Sequence, residues 1–155
     1  MEDEAVVSWQ LGRPVRSFRR VAVRCVHGFP AVTEQGPYDA DGKPFPTTYY
    51  LTCPWLVAAV ARIEAAGGVE RWSGAAAAEP ELSESLARAD AEQRRLRPEL
   101  GVGIAGTRDR TKLKCLHAHA AFALARPGYE LGDRVLAEAG ELWCPDARCG
   151  AADSA

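Results

Sequence analysis

Long apolar runs and a strong net charge are both missing from this chain of 155 residues. The longest apolar run, residues 55–61, contains seven residues, whereas a membrane-spanning helix needs about 20. The formal net charge is only −2, because 19 basic side chains nearly balance 21 acidic ones. We therefore expect no membrane insertion, and the composition carries no strong nucleic-acid signature.

No secretory signal is expected, because residues 1–4 are mostly acidic and no apolar segment follows them. We therefore expect a cytoplasmic protein whose cysteines stay reduced. The five cysteines are an odd number, which argues against a complete disulfide framework. Reduced cysteines leave three roles open: buried packing residue, metal ligand or reactive thiol.

The sequence pattern changes from strands to helices along the chain. Alternating or β-branched segments predict strands, which lie at residues 6–11, 19–26, 31–33 and 47–52. Apolar positions of helical period predict helices, which lie at residues 54–66, 81–97, 111–126 and 133–142. Strands that precede helices are typical of an α+β fold. We expect a small antiparallel sheet from the N-terminal half, packed against C-terminal helices.

The length predicts one domain, with its core at about residues 6–143 and with frayed termini. Small residues at positions 73–78 predict a linker. The helix at residues 81–97 is strongly charged, so we expect it to be a solvated cover rather than a core element.

Cysteine and histidine provide the chemically distinctive residues of the chain. Cys25 ends a predicted strand, Cys53 precedes the Pro54 that starts a helix, and Cys115 and His117 fall in another predicted helix. Thiolate and imidazole are ligands of zinc, but these residues lack the close C-x-x-C pair of most zinc motifs. The alternative is that the cysteines are small buried packing residues.

Two further cysteine features have alternatives of their own. A thiol at a helix N-terminus, such as Cys53, meets unpaired N–H groups that lower its pKa and favour a reactive thiol; the alternative is a cap without a catalytic role. Cys144 and Cys149 form a C-x4-C pair near the C-terminus. Such a pair alone is not specific for metal.

A glycine-rich segment at residues 101–106 matches G-x-G-x-x-G. We reject a dinucleotide-binding interpretation, because that motif must lie between a strand and a helix. The basic residues that follow it favour an anion site, which would consist of Arg108, Arg110 and Lys114. The alternative is a solvated helix start.

Three motifs occur in an order that resembles the bacterial domain-of-unknown-function family 501. They are RCVHGFPAV at residues 24–32, PFPTTYYLTCP at residues 44–54 and KCLHAHAAFALA at residues 114–125. The resemblance covers roughly residues 9–143. It implies cysteine at positions 25 and 115, histidine at 117, and cysteine or histidine at 53, an exchange that suits a zinc ligand.

Two functions follow from these patterns. In the first, Zn²⁺ held by Cys25, Cys53, Cys115 and His117 makes the chain a small structural or binding protein. In the second, the chain is a thiol-dependent enzyme with Cys53 or Cys115 as nucleophile and His117 as base, acting on an anionic or phosphorylated small molecule. Whether the chain is an enzyme stays open on the sequence.

Overall fold

A three-stranded antiparallel sheet and six α-helices make up the computed structural model, which describes residues 2–109 and 112–154. The strands are β1 (Phe18–Arg24), β2 (Pro30–Gln35) and β3 (Tyr49–Leu51). The helices are α1 (Asp3–Leu11), α2 (Pro54–Ala65), α3 (Gly68–Ala78), α4 (Pro80–Leu96), α5 (Leu116–Ala125) and α6 (Glu130–Ala139). Short 3-10 helices lie at Ile104–Gly106 and Arg148–Ser154.

The sheet is a meander in which β2 is the central strand. Val21 pairs with Thr33, and Thr33 pairs in turn with Tyr50. β2 is buried along most of its length, as the middle strand of a sheet covered by helices must be. The predicted α+β class with a small antiparallel sheet packed against helices is confirmed.

The core lies where α5 crosses the sheet. α5 is apolar around most of its surface and buries seven of its ten residues, as expected of a helix enclosed on all sides. Its Phe122 ring meets Tyr49 of β3 edge-on, with ring centroids 5.6 Å apart. The same ring meets Tyr129, which precedes α6, at 5.9 Å. α5 therefore packs between the sheet and the start of α6.

Two segments are helical where the sequence predicted otherwise. Residues 6–11 were expected to form a strand, but they belong to α1, which starts with the acidic Asp3 and Glu4 and ends at Gly12 in the left-handed region (φ 69°). Residues 73–78 were expected to be a linker, but they complete α3. Alanine is the strongest helix former, so the small size of these residues did not indicate a linker.

The charged helix α4 is also more deeply buried than expected. Leu82 is fully buried and Leu86 is 5% exposed, and polar residues of the same face, Ser85 and Gln93, are buried too. The interpretation of this helix as a solvated cover is therefore wrong, because its narrow apolar face is enclosed. Among the described residues, no helix is both long and apolar enough to cross a membrane.

Candidate metal site

The junction between α2 and α5 collects three side chains with metal-binding chemistry. Glu64 lies in the last turn of α2, Cys115 is the N-cap of α5, and His117 lies in the first turn of α5. Lys114 adopts a left-handed conformation (φ 65°), which turns the chain just before the helix begins. The Leu116 N–H then donates to Glu64 Oε2 at 2.7 Å, so the glutamate fastens the start of α5 to α2.

Hydrogen bonds fix the orientation of the His117 ring. Nε2 lies 3.1 Å from the Val57 carbonyl oxygen; because a carbonyl only accepts, Nε2 carries the hydrogen and donates it. Nδ1 lies 3.3 Å from Glu64 Oε2. The pKa of His117 is raised to about 9, chiefly by its hydrogen bond with Cys115. Burial lowers this pKa, and the negative charge of Glu64 raises it further.

Ligand atoms of Glu64, Cys115 and His117 all lie within 4.8 Å of one another. All three side chains are half-buried, so the surrounding structure orients them while solvent or a solute still reaches them. One carboxylate, one thiol and one imidazole form a donor set that suits zinc. This group could therefore hold a metal ion.

The group borders a cavity of about 350 Å³. Cys115 and His117 lie in its wall, and most of the remaining lining is apolar. Tyr50 and Leu51 of β3 form part of that lining, as does Ala105 of the glycine-rich segment. A cavity of this size, with few polar groups placed together, is typical of a small-molecule site.

The group contains two of the four predicted zinc ligands. Cys115 and His117 come together, as the sequence predicted, and the third member of their group is Glu64. Across residues 2–109 and 112–154 it is the single group of three or more metal-binding side chains at that spacing, so Cys25 and Cys53 lie outside it. Glu64 was not predicted from the sequence, because a glutamate in a last helical turn carries no distinctive local pattern.

Cys53 has the position that the sequence predicted but a different acidity. It is the N-cap of α2, with Pro54 in the first turn. Burial raises the pKa of the thiol, and the N–H groups of Trp55 and Leu56 offset that effect only in part. The reactive-thiol interpretation of Cys53 is therefore not favoured, because desolvation outweighs the helix N-terminus.

The predicted anion site is described only in part. Arg108 and Lys114 are exposed, and Lys114 Nζ donates to the Gly106 carbonyl at 3.4 Å. Arg110 lies outside the described residues. Anion binding by these three residues stays a prediction.

His119 is part of the core and not of the metal group. Its ring is fully buried, with Nε2 3.1 Å from the Leu113 carbonyl and Nδ1 2.7 Å from the Tyr129 hydroxyl. Burial lowers its pKa to about 4. Both ring nitrogens are already occupied by core hydrogen bonds.

Comparison with known proteins gives one family. Residues 21–137 match the model of a family described as "Protein of unknown function (DUF501)", which is the family that the three motifs resembled. No curated protein and no solved structure matches the chain.

Proposed function

The chain belongs to this DUF501 family, and we propose that it is a metal-binding protein in which Glu64, Cys115 and His117 hold a zinc ion. The observation that carries the proposal is the His117 ring. Its Nε2 donates to the Val57 carbonyl at 3.1 Å, which leaves Nδ1 to face Glu64 and Cys115. Histidines that bind metal commonly donate their other ring N–H to a carbonyl in this way, which fixes the tautomer.

The chemistry of the three donors favours zinc over harder cations. A thiolate is a soft ligand that magnesium and calcium avoid, and an imidazole suits zinc equally well. Binding replaces the protons of Cys115 and His117 with a divalent cation, which also neutralises the Glu64 carboxylate beside them.

Three protein ligands would leave the fourth tetrahedral position of zinc to a solvent molecule or a solute. Because Cys115 and His117 lie in the wall of the 350 Å³ cavity, that position would be reached from the cavity. The apolar lining favours a small molecule that combines an apolar body with one metal-binding group. This would make the site a binding site as well as a link between α2 and α5.

A second candidate function uses the same residues without a metal. Cys115 shares a hydrogen bond with His117, and both border the cavity. A thiol beside a histidine is the arrangement of a thiol-dependent enzyme, with Cys115 as nucleophile and His117 as base. Lys114, next in the chain to Cys115, would then attract an anionic or phosphorylated substrate.

Metal analysis of the purified full chain separates the two functions. We expect zinc to copurify with the chain, and cobalt in its place to give the absorption of a thiolate–cobalt bond. Glu64→Gln, Cys115→Ser and His117→Gln should each lose the zinc equivalent of this site. Glu70→Gln is the matched control, since it removes an exposed carboxylate of α3 and should keep the zinc.

Two results would contradict the zinc proposal. The first is a zinc content in Cys115→Ser equal to that of the unchanged chain. The second is a zinc-free chain in which alkylation of Cys115 depends on His117, which would favour the thiol enzyme instead.

A further inference from the structure

Four of the five cysteines are not members of the Glu64 group, and they lie on segments that meet at one end of the sheet. Cys25 directly follows β1, and its N–H donates to the Phe29 carbonyl across the β1–β2 turn at 2.9 Å. Cys53 follows β3, and its N–H donates to the Ala31 carbonyl of β2 at 3.2 Å. The first residues of β2 therefore lie between these two cysteines, which are at the same end of the sheet.

The C-terminal segment brings the other two cysteines to this end of the sheet. His27 Nε2 lies 2.8 Å from the Cys144 carbonyl oxygen and donates to it. Gln10 of α1 donates both to the Pro30 carbonyl, at 2.8 Å, and to Cys149 Sγ, at 3.3 Å. Cys144 and Cys149 are thus tied to the same β1–β2 turn that carries Cys25.

The chain between Cys144 and Cys149 makes a tight turn. Ala147 adopts a left-handed conformation (φ 48°), and the Gly150 N–H donates to the Ala147 carbonyl at 3.0 Å. This turn returns the chain so that both cysteines are buried. A pair of ligands separated by two to four residues on a turn is typical of structural zinc sites.

Charge interactions relate these four thiols in pairs. Burial raises the pKa of Cys149, and the neighbouring thiols of Cys25 and Cys144 raise it further. Burial likewise raises the pKa of Cys53, and the nearby thiols of Cys149 and Cys25 raise it further. All four cysteines are free thiols, and no three of their sulfur atoms lie within 4.8 Å of one another.

We infer that Cys25, Cys53, Cys144 and Cys149 form a second metal site, a closed four-thiolate site for Zn²⁺. Tetrahedral zinc with bonds of about 2.3 Å holds its sulfur ligands about 3.8 Å apart, so binding draws the four thiols inward. Zinc replaces the four thiol protons, and its charge offsets the repulsion between the thiolates. With four protein ligands no position stays open, so the site fastens the C-terminal segment to the sheet.

Zinc protection of individual cysteines tests this inference in the unchanged full chain. The reduced protein is loaded with zinc and treated with an alkylating reagent, and the modified cysteines are located by mass spectrometry. We expect zinc to slow the alkylation of all four cysteines together. Protection of Cys115 alone would overturn the second site and leave the Glu64 site standing, whereas protection of only these four would do the reverse.

Variants of the C-terminal pair give an independent measurement. Cys144→Ser and Cys149→Ser should each lose one zinc ion per chain and keep the zinc of the Glu64 group. Cys115→Ser is the matched control and should show the opposite loss. Unchanged zinc content in both C-terminal variants, or a native disulfide between any two of the four cysteines, would overturn the inference.

Discussion

Two histidines on α5, only two positions apart, show how strongly the surroundings decide the chemistry of a residue. His117 faces Glu64 and Cys115, and its pKa is raised to about 9. His119 is enclosed by the core, and its pKa is lowered to about 4. A helix turns about 100° per residue, so residues two apart point to nearly opposite sides. The first histidine is therefore a candidate ligand and the second a neutral core residue.

The hydroxyl of Tyr129 provides a test of this neutral core histidine. Because His119 Nε2 donates to the Leu113 carbonyl, Nδ1 accepts from the Tyr129 hydroxyl at 2.7 Å. Tyr129→Phe removes the donor and leaves a buried acceptor unpaired, which should cost about 1–3 kcal/mol of unfolding free energy. Urea denaturation measures the change. Tyr38→Phe is the control, since Tyr38 is 46% exposed, and an equal loss in both variants would show that the buried hydrogen bond adds nothing.

At the scale of the element, the contact between α5 and α6 depends on a missing side chain. A Cβ atom added at Gly132 would lie 2.6 Å from Ala123 Cβ and 2.7 Å from the His119 carbonyl oxygen. Both distances are shorter than the contacts that Cβ atoms make in proteins. The two helices therefore approach this closely only because position 132 is glycine. The same contact holds the helix that carries His117.

A matched pair of glycine variants isolates this contact. Gly132→Ala should destabilise the chain by about 1–3 kcal/mol, because the helices must separate. Gly74→Ala, in the interior of α3 with nothing within 4 Å of the added Cβ, should instead stabilise it by about 0.5–1 kcal/mol through helix propensity. Both changes are measured by urea denaturation. Opposite signs support the close packing of α5 and α6, whereas stabilisation by both variants would contradict it.

Element boundaries show what the sequence could predict and what it could not. The start of α2 was predictable, because Pro54 suits a first helical turn, and the structure has it there. The start of α5 was placed too early, at residue 111, because nothing in the run of basic residues marks the left-handed Lys114. The predicted strand at residues 6–11 failed because β-branched Val6 and Val7 outweighed the acidic start and glycine end of a short helix.

At the scale of the whole molecule, the candidate sites are products of tertiary packing. Cys115 and His117 meet because Cys115 is the extended N-cap of α5 rather than a residue of the helix itself. Glu64 joins them only because α2 packs against α5, and no local spacing encodes that contact. In the same way, Cys144 and Cys149 lie near Cys25 only because the C-terminal segment packs against the β1–β2 turn.

Because the net charge of the molecule is small, anion binding depends on local groups of basic side chains. With a formal charge of −2, the chain would attract phosphate only where basic side chains are concentrated, and Arg108 and Lys114 are the predicted location. If these residues bind phosphate, inorganic phosphate at ten times its dissociation constant should stabilise the folded state by about 1.4 kcal/mol. A chain of this size then melts roughly 3–6 °C higher. Added salt should reduce the shift, because these side chains are exposed and screening weakens their attraction.

Substitution of one lysine at a time distinguishes this local site from general attraction. Lys114→Gln should abolish most of the phosphate-induced rise in melting temperature. Lys43→Gln removes the same charge from an exposed turn distant in sequence and should leave the rise unchanged. Thermal melts at several phosphate and salt concentrations provide the measurement. If millimolar phosphate shifts the melting temperature of neither the unchanged chain nor the control, the basic residues are a solvated surface.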